Sequence, residues 1–302
     1  MRLLLIIITI LFTSCNFCLA QNTTAKKIND NTFITSDGVA LYLKVSGNGA
    51  PCIFIHGGPG AWSKSFEDMG GNALEQKLTM YYFDQRGCGR SQSPTDGNYT
   101  MERMIRDIEE LRTITGSEKV YLIAHSFGGV LAFNYAKRYP QHVNGLILLN
   151  ATLDLRNSLS NQIAYVDTLL KKHISTTEND SLMAHFFKAR KLLKQADKDY
   201  KMLSDNKSSV AKIDSIDDAT RNSAFAQVAL TMPEYTVDFT KQTSQVNVPV
   251  LIISGSRDHS IGPDHYKRFH FPNQRVKLIN GGHILYFEEN GVFVNAMFDF
   301  IR

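Results

Sequence analysis

The chain has 302 residues, 43% of them hydrophobic and 21% charged, with a formal net charge of +4. That length holds one large domain or two small ones, in the composition range of ordinary globular proteins. The charge is mild and scattered, with no basic patch interleaved with aromatics, which excludes a nucleic-acid partner.

In chain order, residues 1–20 stand apart. Arg2 is followed by the apolar run Leu3–Phe12 and then by small or polar residues. This is the layout of an export signal, too short to span a bilayer comfortably. Two processing readings stay open. Cys18-Leu19-Ala20 before Gln21 suits a signal peptidase, whereas Phe12-Thr13-Ser14-Cys15 resembles a lipobox whose Cys15 would carry a lipid. The expected location is therefore outside the cytoplasm: periplasmic, secreted or lipid-anchored. Any membrane contact would run only through Cys15. Two cysteines then remain, Cys52 and Cys88. One begins an apolar run and the other follows the end of one, so in parallel strands they fall at opposite ends of the sheet, beyond disulfide reach.

Residues 21–30 are polar and read as a flexible tether. Thr32–Thr35 and Val39–Val45 read as strands turned by Ser36-Asp37-Gly38, and Ile53–Ile55 and Thr79–Phe83 as short strands buried on both faces. Met101, Met104, Ile105, Ile108, Leu111 and Ile114 recur at three- and four-residue steps and predict a helix closed by Gly116. A strand over Val120–Ala124, a helix over Gly128–Tyr139 and a strand over Leu146–Leu149 follow. From Thr152 to Gln245 the pattern is helical, polar and rich in Lys. Alternation resumes with strands over Val248–Ile253 and Val276–Ile279 and a helix over Val292–Ile301. This order predicts an α/β core over 31–151 and 246–302, built on a mostly parallel sheet, with a helical cap inserted over 152–245.

The chemistry-bearing motifs sit where strands should end. Ala124-His125-Ser126-Phe127-Gly128-Gly129 follows a strand and opens a helix, which is the context of a nucleophile elbow with Ala in place of the first Gly. So sharp a turn needs small residues two before and two after the serine, and Ala124 and Gly128 supply them. A plain strand–turn–helix with a Ser cap is the alternative. A serine hydroxyl needs a base held by a third group. Asp258, past the next-to-last strand, and His283, past the last one, supply acid and base in the order Ser, acid, His. His56-Gly57-Gly58-Pro59-Gly60 gives up side chains after a strand and so offers backbone N–H groups. Gly58 and Phe127 are the expected donors to a developing oxyanion. His125, His56 and the Asp84, Arg86 and Arg90 of the segment DQRGCGRS read as packing and salt-bridge residues. No Cys/His spacing suggests a metal, and no cofactor is expected.

Together HGGPG, YFDQRGCGRS, AHSFGG, SGSRDHSIGP and GGH resemble the α/β-hydrolase fold, and within it the proline iminopeptidase branch of serine peptidases. The resemblance covers residues 33–150 and 248–301. It implies the α/β-hydrolase fold, an acyl-enzyme mechanism through Ser126, Asp258 and His283, and a small-molecule or short-peptide substrate. It also implies cap glutamates that bind the substrate's amino group, and here this chain departs. The segment AFAQVALTMP, residues 224–233, carries Ala229 where the branch is acidic and Gln227 where it is basic. Trp62 is the one tryptophan where such caps are Trp-rich. Glu234 and Asp238 are near enough to substitute and, with Gly57, are the substrate-binding candidates. Two functions follow: an aminopeptidase of proline iminopeptidase type, or an esterase or other small-acyl hydrolase. A non-catalytic binding module on the same scaffold is a remote third. The sequence leaves the oligomeric state and the isomer of the Gly58–Pro59 bond open.

Overall fold

A computed structural model of the chain describes residues 25–29, 31–173, 181–219 and 222–301. Residues 1–20, expected to be an export signal, and Cys15 within them lie outside the described residues. The sheet has nine strands: β1 (Lys26–Asn29), β2 (Thr32–Ile34), β3 (Ala40–Ser46), β4 (Ala50–Ile55), β5 (Leu78–Phe83), β6 (Val120–Ser126), β7 (Val143–Ala151), β8 (Val250–Gly255) and β9 (Gln274–Ile279). Their spatial order is β1-β2-β3-β5-β4-β6-β7-β8-β9. Strands β1, β2, β3 and β5 pair antiparallel, and every pair from β5·β4 through to β8·β9 is parallel.

The mostly parallel α/β core agrees with the sequence reading, with one correction. Residues 26–29, expected as part of a flexible tether, form an antiparallel edge strand on β2. Lys26-Lys27-Ile28-Asn29 is too polar to announce itself by an apolar run. It is recruited by the open backbone edge of β2, whose N–H and C=O groups need partners.

Helices cover both faces of the sheet. Between β4 and β5 lies α1 (Lys64–Asp68), between β5 and β6 α2 (Met101–Thr115), and between β6 and β7 α3 (Gly128–Arg138). Helix α2 follows its sequence pattern closely. Met104, Ile105, Ile108 and Leu111 are buried, Thr100 caps its start by accepting from the Arg103 N–H, and Gly116 ends it in the left-handed region at φ 70°. Alternate residues of the central strands feed two cores. Ile53, Leu122, Leu146 and Ile252 pack with α2 and α3, while Phe54, Ile123, Ile147 and Ile253 pack with Phe293 and Met297 of the C-terminal helix.

The insertion between β7 and β8 is helical: α4 (Leu155–Leu170), α5 (Leu182–Gln195), α6 (Lys207–Asp217) and α7 (Ala224–Ala229). After β9 come α8 (Leu285–Glu288) and α9 (Asn290–Phe300). Hydrogen bonds of 2.8 Å run both ways between the backbones of Gly89 and Asn222 and tie the cap to the core. Gly60 approaches α7 so closely that a Cβ there would lie 2.5 Å from the Ala226 Cβ. Cys52 and Cys88 are both buried and unpaired, and burial raises both thiols above their ordinary pKa.

The segment after β5 is held by Arg86, whose side chain is wholly buried. All five of its N–H groups are satisfied. They donate to Asp107 at 2.6 and 2.8 Å, to Asp37 at 2.9 and 3.0 Å, and to the Asn98 carbonyl at 3.1 Å. Although burial works to raise the Asp37 pKa, the Arg86 hydrogen bonds overcome it and hold the carboxyl at about 2. Removing Arg86 leaves the buried Asp107 with Arg103 alone and takes from Asp37 its two-pronged partner. Arg86→Leu should therefore lower the unfolding free energy by about 3–5 kcal/mol in urea denaturation.

Candidate active site

The site lies where strand order reverses. Strand β4 has β5 on one side and β6 on the other, so the loops leaving β4 and β6 part at a crevice at the strand C-termini. Strand β4 stops at Ile55, opposite Ala124, while β6 runs two residues further to Ser126. This brings Gly57 directly against Ser126: a Cβ on Gly57 would lie 2.6 Å from the Ser126 Cβ and 3.3 Å from its Oγ. No residue but glycine fits. Gly128 is confined in the same way, its missing Cβ leaving room for the Ile55 carbonyl 2.3 Å away. Ser126 itself has φ 56°, the left-handed region that an L-residue rarely adopts. A strained serine between strand and helix is the geometry of a nucleophile elbow.

The loop after β4 is locked by its own histidine. His56 accepts from the Gln85 N–H on Nε2 at 2.9 Å and donates from Nδ1 to the Gly57 carbonyl at 3.0 Å. Gln85 returns a bond from its side-chain amide to the His56 carbonyl at 2.7 Å. Burial keeps the pKa of this imidazole below its ordinary value. The Gly58–Pro59 bond is cis. Asp84 organises the next turn, accepting from Ser63 N and Oγ and from Arg90 N and Nε at 2.7–3.0 Å. The Arg90 guanidinium in turn lies 3.4 Å over the Tyr42 ring. Asp84, Gln85 and Arg90 shape the loops without lining the cavity that holds Ser126, whereas His56 forms part of its wall.

Asp258, just past the end of β8, is wholly buried. Its Oδ2 accepts from His283 Nδ1 at 2.9 Å, and its Oδ1 accepts from the backbone N–H groups of Ser260 and Ile261 at 2.8 and 3.3 Å. Burial works to raise the Asp258 pKa, but the adjoining His283 and these donors outweigh it, so the carboxyl sits below its ordinary value and is ionised. An anion on Nδ1 selects the Nδ1–H tautomer of His283 and leaves Nε2 as the acceptor. His283 and Ser126 line one cavity of about 290 Å³, together with Gly57, Gly58 and Phe127. Ser126 Oγ and His283 form no hydrogen bond to each other, a looseness common before substrate binds.

Two residues that the sequence reading did not single out, or singled out only for packing, hold the His283 backbone. Asn150, wholly buried at the end of β7, accepts from the Gly255 N–H at 2.7 Å and donates to the Gly282 and His283 carbonyls at 2.9 and 3.0 Å. Its φ of 42° suits Asn better than most residues. One side chain thus joins the loop that carries Asp258 to the loop that carries His283. His125 donates from Nε2 to the His283 carbonyl at 3.1 Å, and its ring lies 4.6 Å from that of His283. Burial, with His283 beside it, holds the His125 pKa down to about 3.

The cap closes the cavity with Leu155, Leu159, Phe186, Ile213 and Leu230, and with the carboxylate of Asp217 at the end of α6. Asp217 Oδ1 accepts from Trp62 Nε1 at 2.7 Å and from Ser65 Oγ at 2.5 Å. The placement corrects two sequence candidates. Glu234 accepts from the Met101 N–H at 2.6 Å and so serves the start of α2. Asp238 accepts from the Thr240 N–H and pairs with Arg268 at 3.0 Å. Neither lines the cavity. The segment 224–233 explains why: Phe225 and Ala229 are wholly buried, Phe225 packing on Tyr99 and Phe127, so that stretch is spent on docking the cap. Nothing in the local sequence separates Asp217 from Asp214 and Asp218. Only the fold turns it toward Trp62. Among the described residues no cluster of His, Cys, Asp or Glu could hold a metal ion.

A nine-stranded, mostly parallel sheet with a glycine-lined crevice, a strained serine and a buried Asp–His pair defines a hydrolase architecture. The chain belongs to the α/β-hydrolase fold family, whose pattern matches residues 51–290. A proline iminopeptidase of Saccharolobus solfataricus is 36% identical over 116 residues, which is 37% of each chain, so the match spans about a third of that relative's length. A proline iminopeptidase of Lactobacillus delbrueckii subsp. bulgaricus is 26% identical over 280 residues, covering 83% of this chain and 90% of that one. Among solved structures, a proline iminopeptidase-related protein from Thermus thermophilus superposes with a TM-score of 0.71 at 22% identity, over 86% of this chain and 92% of the other. This last likeness is one of fold.

The packing around His283 carries measurable consequences. Asn150→Ala orphans the Gly255 N–H and the Gly282 carbonyl, at about 1–3 kcal/mol each, and should lower stability by about 2–6 kcal/mol in chemical denaturation. His125 titrates near 6.5 when unfolded and at about 3 when folded. Between those values the unfolded chain binds the extra proton, so stability is fully present above about pH 6.5 and falls as pH drops through that window. The melting temperature of His125→Gln should decline less steeply with acid than that of the wild type.

Proposed function

We propose that this protein is a serine hydrolase working through an acyl-enzyme, and that its preferred substrates are short peptides with a free amino terminus. The observation that carries the reading is the 2.9 Å Asp258–His283 bond behind a strained Ser126 that shares its cavity with His283. Ser126 Oγ attacks the substrate carbonyl as His283 Nε2 takes its proton, and Asp258 steadies the imidazolium. The C–N bond breaks as Nε2 returns that proton to the departing amine. Water, deprotonated by the same Nε2, then attacks the acyl-enzyme and releases acid and free serine.

The backbone N–H groups of Gly58 and Phe127 are the proposed oxyanion donors. Neither has an acceptor among the described residues, both residues line the cavity, and the Phe127 N–H opens α3 where the helix dipole is positive. The aminopeptidase side of the reading draws support from the iminopeptidase relatives and from Asp217, a cap carboxylate facing the cavity. Asp217 takes the amine-binding place first assigned to Glu234 and Asp238.

A small-acyl esterase is the second reading. Asp217 is the sole carboxylate among the described residues that line the cavity. It is already bound to Trp62 and Ser65, and the cap residues around it are largely apolar. The chain is further proposed to be exported by residues 1–20, which mass spectrometry of the mature N-terminus tests, including a lipid on Cys15.

A fluorophosphonate probe should label the wild type at Ser126. Ser126→Ala should lose the label and all but a trace of turnover, while its melting temperature stays within a few degrees. Absence of labelling in folded wild-type protein would exclude the serine mechanism. Pro- and Ala-arylamides assayed beside short p-nitrophenyl esters divide the two readings: amide turnover supports the peptidase, and ester turnover alone supports the esterase.

A further inference from the structure

A second cavity, of about 230 Å³, adjoins the first. Gln162, Phe186, Leu203 and Ser260 line both, so the two spaces share a wall formed by α4, α5 and the loop after Asp258. Arg190 of α5 lines only the second. Its guanidinium is partly buried and makes no hydrogen bond or ion pair among the described residues. The other arginines withdrawn from water behave differently. Arg86, Arg90, Arg103 and Arg112 each pair with at least one carboxylate at 2.6–2.8 Å. Burial lowers the pKa of Arg190, and Asp199 opposes that only through space. Leaving five donors in a partly dry cavity without a partner is costly, and a planar fork of this kind matches a carboxylate. Asp199 and Asp214 also line the space, but both are exposed and neither forms an ion pair with the guanidinium.

We propose that Arg190 binds a carboxylate at the far end of the substrate, so that the enzyme selects substrates that end in a free acid. The inference rests on the first cavity holding the reacting carbonyl. Two kinds of molecule present the required chemistry: a short peptide with its free C-terminus, and an acyl group derived from a dicarboxylic acid.

Both series are assayed on the intact protein as ratios of kcat/KM, acid form over neutral form, so that any general loss of activity cancels. The first pairs p-nitrophenyl hemiesters of succinic, adipic and sebacic acids with neutral acyl esters of matching length. The second pairs Ala- and Pro-initiated dipeptides and tripeptides with their C-terminal amides. The wild type should favour the acid by about 10- to 100-fold in at least one series, chiefly through KM. Arg190→Gln should bring that ratio to about 1, Arg190→Lys should keep part of it, and melting temperatures confirm that each variant is folded. A preference in the hemiesters alone identifies an acyl-side acid and would sink the peptidase reading while Arg190 stands. A preference in the peptides alone identifies the peptide C-terminus. Equal rates for acid and neutral forms, a preference for the neutral form, or an acid preference that survives in Arg190→Gln each overturns the inference. If nothing is turned over, titration calorimetry with adipate and sebacate reads the site without chemistry. Binding that is lost in Arg190→Gln supports the inference, and no binding to the wild type overturns it.

Discussion

The register of β4 against β6 is the constraint from which the rest of the site follows, because it brings residue 57 abreast of Ser126. Where strand order reverses, the loops leave two parallel neighbours from a common line, one forward and one back, and the space between them becomes the crevice. Ile55 and Ala124 set that line. Beyond it the loop backbone passes so near Ser126 that position 57 tolerates no side chain, and α3 starts so near β4 that position 128 tolerates none either. Gly57 of HGGPG and Gly128 of AHSFGG are thus two halves of one steric requirement. A chain that gives up side chains for closeness brings its backbone N–H groups to the same place, which is the chemical use the proposed mechanism makes of it.

Around that line the structure uses charge to hold loops rather than to do chemistry. Arg86, Asp107 and Asp37 lock the segment after β5, and Asp84 with Arg90 locks its turn. His56 and Gln85 join that segment to the HGGPG loop by reciprocal bonds. The two motifs, nearly thirty residues apart in the chain, occur together because each satisfies the other's buried polar groups. Asn150 plays the same part on the far side of the crevice, where it binds the turn at Gly255 to the carbonyls that precede and carry His283. Histidine chemistry is divided in the same spirit. His56 and His125 are kept neutral by burial and spend their nitrogens on backbone groups, while His283 alone is paired with a buried anion.

The cap is the part least legible in local sequence. Residues 224–233 look like the stretch that carries recognition in the relatives the motifs suggest, yet here they are core: Phe225, Ala229 and nearby Tyr235 are packed against Tyr99 and Phe127. Glu234 and Asp238, acidic and close in sequence, are drawn off to the start of α2 and to Arg268. Two of the polar groups that do face the cavities, Asp217 and Arg190, sit on α6 and α5 among many similar residues. A Lys-, Asp- and Ser-rich helical segment has no strong periodicity to say which face is inward, because its burial depends on how the helices lean on the core and on one another.

The sequence by itself determined the α/β core, the order and ends of most strands, the helix over residues 101–115, and the serine, acid and histidine past strand ends. Each of these is written in short-range terms: apolar runs, three- and four-residue periodicity, and glycines where a turn admits nothing larger. It also foretold that Cys52 and Cys88 would stay apart. Only the tertiary structure decided that residues 26–29 join the sheet, that Asn150 spans two loops, that Glu234 and Asp238 lie away from the cavity, and that Asp217 and Arg190 face cavities instead. The reason is physical: a local pattern fixes what a segment is when its own burial dictates it, whereas the fate of a polar side chain is set by the partner that another part of the chain brings to it.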